Sequence, residues 1–200
     1  MEIKTIESDI LGSNTHIVIE NNEAIIFDAG AELERVIRAV KGLEVKAIFL
    51  THLHFDHIFF LNDYVKEFGC NVYLYDEELI DEKHTLSYMI GDVKIPTGCY
   101  HSLKTEAVVS VGGFDVKCIH GPGHSDDSMC YVTNDILIAG DTLFDGTIGR
   151  TDLPTSSRED MLDTLQVLKD LKFYVCYSGH GGSSTWSEQM ENIKYFIMEL

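Results

Sequence analysis

The sequence predicts an α/β fold of four layers, helix–sheet–sheet–helix, made from two half-domains that meet sheet to sheet. Two observations predict it. Strands followed by helices occur in the first half of the chain and again in the second. Side chains of metal-ligand type also stand where strands are expected to end: Asp28, His52, His124, Asp141 and His180. Separate strand ends offering such groups point to a site at one rim of a sheet sandwich.

The elements follow in order. Ile17 to Ile19 and Ala24 to Phe27 are short apolar strands around the polar turn Glu20-Asn21-Asn22-Glu23. Leu33, Val36, Ile37 and Val40 recur at helical spacing, and Gly42 ends that helix. Ala47 to Leu50 is a buried strand running straight into Thr51-His52-Leu53-His54-Phe55-Asp56-His57, and a helix is expected over Ile58 to Phe68. Val72 to Tyr75 is another strand. Residues 76–108 lack clean periodicity and carry Leu86, Tyr88, Met89, Ile95, Pro96 and Tyr100, either as a substrate wall or as a loop over the core. Phe114 to Ile119, Met129 to Val132, Ile136 to Ala139 and Phe173 to Tyr177 are strands, with Asn134-Asp135 as a tight turn. Two capping boxes, Ser156 with Glu159 and Thr185 with Glu188, open the last two helices. In the second, Trp186, Met190, Ile193 and Ile197 form the apolar stripe.

The 200 residues suffice for one domain spanning 1–200 with a full core. No apolar run approaches the roughly 20 residues of a membrane span, and the N-terminus lacks a basic start followed by an apolar stretch. Cys70, Cys99, Cys118, Cys130 and Cys176 are scattered without framework spacing, so free thiols in a cytoplasmic setting are expected. With 33 acids against 15 Lys and Arg and a net charge of −18, nucleic acid and anionic membranes are not expected partners. A small-molecule substrate is.

The strongest chemical signal is HxHxDH at 52–57, with four potential ligands within six residues. Imidazole and carboxylate suit zinc or iron, and both are available deprotonated near neutral pH. His124 lies in Gly121-Pro122-Gly123-His124-Ser125, a turn that projects one side chain. Asp141 follows an apolar strand and reads as either a ligand or a helix cap. His180 has glycines on both sides, so the backbone there can approach other groups closely.

In this order the pieces resemble the metallo-β-lactamase superfamily, over nearly the whole chain. Gly140-Asp141-Thr142-Leu143-Phe144 followed by Gly149-Arg150-Thr151-Asp152 resembles its glyoxalase II-like (hydroxyacylglutathione hydrolase-like) branch. The resemblance implies the metallo-β-lactamase fold and two divalent metal ions, zinc expected, with iron or manganese as alternatives. It implies that His52, His54 and His124 hold one metal, that Asp56, His57 and His180 hold the other, and that Asp141 bridges them. Asp28, in Phe27-Asp28-Ala29-Gly30, matches an Asp expected behind the ligands, fixing the tautomer of one imidazole. His16, His84, His101 and His120 match no ligand position, and Arg150 is expected to pair with Asp145 or Asp152.

The implied activity is hydrolysis of a thioester by a metal-bridging hydroxide, with Asp56 and Asp141 as the carboxylates of the catalytic centre. No Gly-x-Ser-x-Gly nucleophile motif is present. Two other readings stand beside this one. One is a persulfide dioxygenase with a single iron on His52, His124 and Asp141; the other is a metal-binding protein without catalysis. The charge disfavours an RNA-cleaving role, and His54 differs from the Glu usual in the flavin-linked diiron branch. The chain departs from the glyoxalase II-like pattern at Asp126-Asp127, where Pro-Gly is usual.

Overall fold

The computed structural model describes residues 1–89, 100–104 and 107–200. Ile95, Pro96 and Cys99 lie outside the described residues. The first sheet contains, in spatial order, β1 (Glu2–Glu7), β2 (Asn14–Glu20), β3 (Glu23–Phe27), β4 (Glu44–Phe49), β5 (Asn71–Leu74) and β6 (Tyr100–Ser102). Strands β1 to β3 form an antiparallel meander, and β3 to β6 are parallel. The helices of this half are α1 (Leu33–Ala39), α2 (Phe55–Ile58), α3 (Leu61–Phe68) and α4 (Glu82–Thr85).

The second half contributes β7 (Ala107–Val111), β8 (Phe114–His120), β9 (Met129–Thr133), β10 (Ile136–Gly140), β13 (Val175–Ser178) and β14 (Ser183–Thr185). Between β10 and β13 lie a small hairpin, β11 (Leu143–Phe144) with β12 (Thr147–Ile148), and helix α5 (Arg158–Leu168). Helix α6 (Trp186–Glu199) follows β14. The order in the sheet is β14-β13-β10-β9-β8-β7, with β10 and β13 parallel.

The continuous apolar strands are explained by cores on both sides. Successive strand residues point to opposite faces, and the chain divides accordingly. Ile26, Ile48 and Leu50 pack under the first-half helices, whereas Ile25, Phe27, Ala47 and Phe49 face the other sheet. In β10, Ile136 and Ile138 join that central core, while Leu137 and Ala139 pack against α5 and α6 through Met161, Leu165 and Ile193. Three cores between four layers make the sandwich. Phe27, Phe49 and Tyr131 meet at its centre, with ring centroids 5.4–5.5 Å apart. Such aromatic contacts add about 0.5–1.5 kcal/mol each beyond area burial.

Several local expectations are corrected. The helix placed over 58–68 is two pieces, and α2 begins at Phe55, so Asp56 and His57 ride on a helical turn. The cap of α5 is Ser157, which accepts from Asp160 N; Ser156 turns its hydroxyl to the carbonyl of His124 instead. Residues 76–108 hold short elements, including the edge strands β6 and the start of β7. Strand β1 also stands unheralded, because Ile3 and Ile6 break the period of two on an exposed edge. The turns at Asn21-Asn22 and Asn134-Asp135 form as expected, all four residues at positive φ, as tight hairpins require. Thr185 and Glu188 form a complete capping box. Cys118, Cys130 and Cys176 are buried thiols. Among the described residues, no helix is long and apolar enough to cross a membrane.

Candidate metal centre

The parallel pairing of β3 with β4, and of β10 with β13, puts their C-terminal ends at one rim. Asp28, His52, Asp141 and His180 leave from those ends, and His124 from the turn after β8. His52 and His54 extend from the end of β4, and Asp56 and His57 follow on α2.

Three sets of side chains converge here: His52, His54 and His124; Asp56, His57 and His180; and His52, His57 and Asp141. Within each set, one ligand atom per residue lies within 4.8 Å of the others. His124 Nε2 faces His54 Nδ1 at 3.0 Å, and His180 Nε2 lies 3.1 Å from Asp56 Oδ2. Asp141 stands between the two trios: its Oδ1 is 3.3 Å from His57 Nε2, and its Oδ2 is 3.5 Å from His124 Nε2 and 3.6 Å from His180 Nε2. The structure therefore brings all seven expected ligand residues together. His16, His84, His101 and His120 stand in none of the three sets.

The hydrogen bonds behind the rings fix which nitrogen faces inward. A carbonyl or carboxylate only accepts, so a ring nitrogen bonded to one must donate. His57 Nδ1 donates to Asp28 Oδ2 at 2.8 Å, His180 Nδ1 to Gly12 O at 2.8 Å, and His124 Nδ1 to Arg150 O at 3.1 Å. The Thr51 hydroxyl gives its proton to Asp28 Oδ2 at 2.8 Å, so its oxygen accepts from His52 Nδ1 at 3.0 Å. In the neutral rings, four Nε2 lone pairs thus point into the cluster. His52 Nε2 and Asp141 Oδ1 are buried there without any hydrogen-bond partner. Buried lone pairs without donors are costly, and a cation among them removes the cost. The donor set fits a divalent metal.

The electrostatics divide the cluster. Burial lowers His52 far below the ordinary imidazole value, pushes His54 down to about 3 and lowers His124. Burial acts the same way on His57 and His180, but the carboxylates prevail. Asp141, Asp56 and Asp28 raise His57 well above its usual range, and Asp56 and Asp141 raise His180. Asp56 and Asp141 are held below the usual carboxylate range by His57 against the opposing effect of burial.

Other residues that build the site carried little signal. Asn14 Nδ2 donates to Ser178 O and Gly181 O, both at 3.0 Å, bracketing His180. Ser13 Oγ donates to the carbonyl of Asp56. These residues lie far from His180 in sequence, and an Asn opening a strand is ordinary. Gly12 O and Arg150 O are backbone groups, invisible to residue type. Arg150 itself pairs with Asp152 at 2.6 Å. Gly179 is required by close approach, since a Cβ there would meet Asp141 Oδ1. His16, buried between Thr5 and Ser178 O, is structural, and burial lowers it to about 4.

A family model of the metallo-β-lactamase superfamily matches residues 9–180. The chain belongs to that superfamily. Among similar members is a probable metallo-hydrolase of Bacillus subtilis, YqgX, 32% identical over 191 residues, covering 90% of each chain. The crystal structure of BLEG-1 B3 metallo-β-lactamase superposes with a TM-score of 0.89 at 30% identity, covering 98% of this chain and 99% of that one. TTHA1623, solved in a di-iron-bound form, gives a TM-score of 0.79 at 26% identity, over 94% and 96% of the two chains. The metallo-β-lactamase fold explains why the two sheets meet at a rim lined with ligands.

Proposed function

We propose that this protein is a metal-dependent hydrolase of thioesters, of the glyoxalase II-like branch, with a small-molecule substrate and a cytoplasmic location. His52, His54 and His124 hold one divalent ion in this reading, Asp56, His57 and His180 hold a second, and Asp141 serves both. Zinc suits the nitrogen-rich set, with iron and manganese as alternatives. The observation that carries the reading is the position of Asp141, within 3.6 Å of members of both trios. The names of YqgX, a probable metallo-hydrolase, and of di-iron TTHA1623 support it.

Two ions held there would supply Lewis acidity and an acidified water. The chain's own residues do the rest. Asp56 and Asp141 would offset only part of the charge of two divalent ions, and the remaining positive field would suit an oxyanion developing on a carbonyl. Asp28 holds His57 directly and His52 through Thr51. Phe144, with its ring centroid 6.3 Å from that of His180, gives the rim an apolar wall beside the second trio. A thiolate leaves readily, so a dedicated acid is not required.

The test is elemental analysis of the purified protein paired with assays on thioesters, β-lactams and persulfides. Two metals per chain with thioester turnover is the expected result. One iron per chain with consumption of persulfide and oxygen overturns the reading in favour of a dioxygenase, and metal loading without turnover of any of these substrates favours a non-catalytic protein.

A further inference from the structure

We infer that Asp127 is a positioning residue for the His52–His54–His124 trio, tying the backbone between two of its members to the loop that carries the third. The inference rests on the ligand assignment proposed above. Leu53 lies between His52 and His54, and its side chain is buried in the first-half core. Its amide hydrogen consequently needs an acceptor inside the protein. Asp127, itself almost fully buried, provides one: its Oδ2 lies 2.8 Å from Leu53 N.

Asp127 belongs to the turn that carries His124. Ser125 Oγ and Ser128 Oγ are 2.7 Å apart, Ser125 N donates to Ser128 Oγ at 3.2 Å, and Gly123 N donates to Ser125 O at 3.1 Å. The turn is therefore internally braced. Besides the contact between the ligand rings of His124 and His54, two hydrogen bonds join it to the 51–57 segment. One is backbone to backbone, Met129 N to Thr51 O at 2.7 Å; the other is the Asp127 side chain to Leu53 N. The first lies before His52, at Thr51, whose hydroxyl also holds the His52 ring. The second lies between the two histidines and anchors the backbone from which the His54 ring projects toward His124. Neither Pro nor Gly at this position would offer a side-chain acceptor. The acidic pair Asp126-Asp127 thus has a definite use in this chain. Asp126 has a different one: its Oδ1 lies 3.3 Å from His84 Nε2, attaching α4 to the same turn.

The experiment uses the full chain and zinc. Asp127→Ala and Asp127→Asn are made in the parent and in a His180→Ala background, where the tightly held metal sits on the His52 trio. Affinity is read by competition with a chromophoric chelator, and stoichiometry by elemental analysis. Asp127→Ala is expected to weaken this site by about 10–100-fold, the usual effect of losing a partner that orients ligands. Asp127→Asn, which keeps an acceptor oxygen, is expected to stay within a few-fold of its parent. If the Ala variant fails to fold, Asp127→Ser, whose side chain is one atom too short to reach Leu53 N, is expected to show the same loss. Parental affinity in the Ala or Ser variant overturns the inference, and so does an Asn variant as weak as Ala. A parent that binds two zinc ions through these residues but hydrolyses no thioester overturns the proposed function and leaves this inference standing.

Discussion

Asp28 and His57 are joined by a 2.8 Å hydrogen bond between two side chains almost wholly buried from solvent, one at the end of β3 and the other on α2. Asp28 reaches it from a backbone with φ of 61°, a region that Asp tolerates better than most residues. The same carboxylate accepts from Thr51 N at 2.7 Å and from the Thr51 hydroxyl. One residue thereby orients a member of each trio. Asp28→Asn replaces an oxygen that only accepts with an amide that also donates. It should lower metal affinity at both trios by about 10–100-fold without removing a ligand, and chelator competition measures this.

Asp141→Ala should be the most damaging single change among the seven. Asp141 is the carboxylate that reaches both trios, lying near His124 as well as His57 and His180. Its loss should remove metal from both positions and depress turnover beyond the roughly 10–100-fold typical of losing an orienting partner. His180→Ala should retain one metal and a measurable fraction of turnover. Metal content and turnover measured side by side decide it, and a two-metal, near-normal Asp141→Ala would refute the bridging role.

The trios should also differ in their response to acid. In the metal-free protein His57 and His180 are raised, so a metal entering their trio must displace protons, and its affinity rises with pH. His52, His54 and His124 are lowered and stand neutral at pH 7. As pH falls below neutral, the Asp56–His57–His180 trio should release its metal first, and the histidine trio should hold on until lower pH. Activity should accordingly fall below about pH 6, as protonation of imidazoles requires. Metal content after dialysis across pH 4.5–8 checks the order; simultaneous release contradicts it.

Gly179 and Gly181 flank the same histidine for different reasons, and alanine should separate them. A Cβ on Gly179 would collide with Asp141 Oδ1 and come within 2.7 Å of His57 Cε1. Gly181 meets nothing within 4 Å but holds φ at +71°. Gly179→Ala should cost about 1–3 kcal/mol of stability through overpacking and reduce metal occupancy. Gly181→Ala should cost about 1–2 kcal/mol of backbone strain and leave occupancy near normal. Thermal unfolding with and without chelator, together with metal analysis, tests the contrast.

Much of this was legible in the chain itself. Alternation and apolar runs marked the central strands because residues such as Ile25 and Ile26 must serve two cores. HxHxDH, His124, Asp141 and His180 were visible because ligand chemistry needs particular side chains, and Asp28 because a carboxylate behind an imidazole is part of that chemistry. The edge strands β1 and β6 were not visible, since an edge needs no strict period. Tertiary structure alone decided which ring nitrogens face into the cluster, because the deciding acceptors include the carbonyls of Gly12 and Arg150, which any residue would supply. It alone decided that Asn14 brackets His180 across 166 positions, a contact made only when the two sheets meet. The placement of Ser156 against His124, leaving Ser157 to cap α5, was likewise decided there, because a three-residue capping pattern shifts by one wherever a neighbouring carbonyl competes for the hydroxyl.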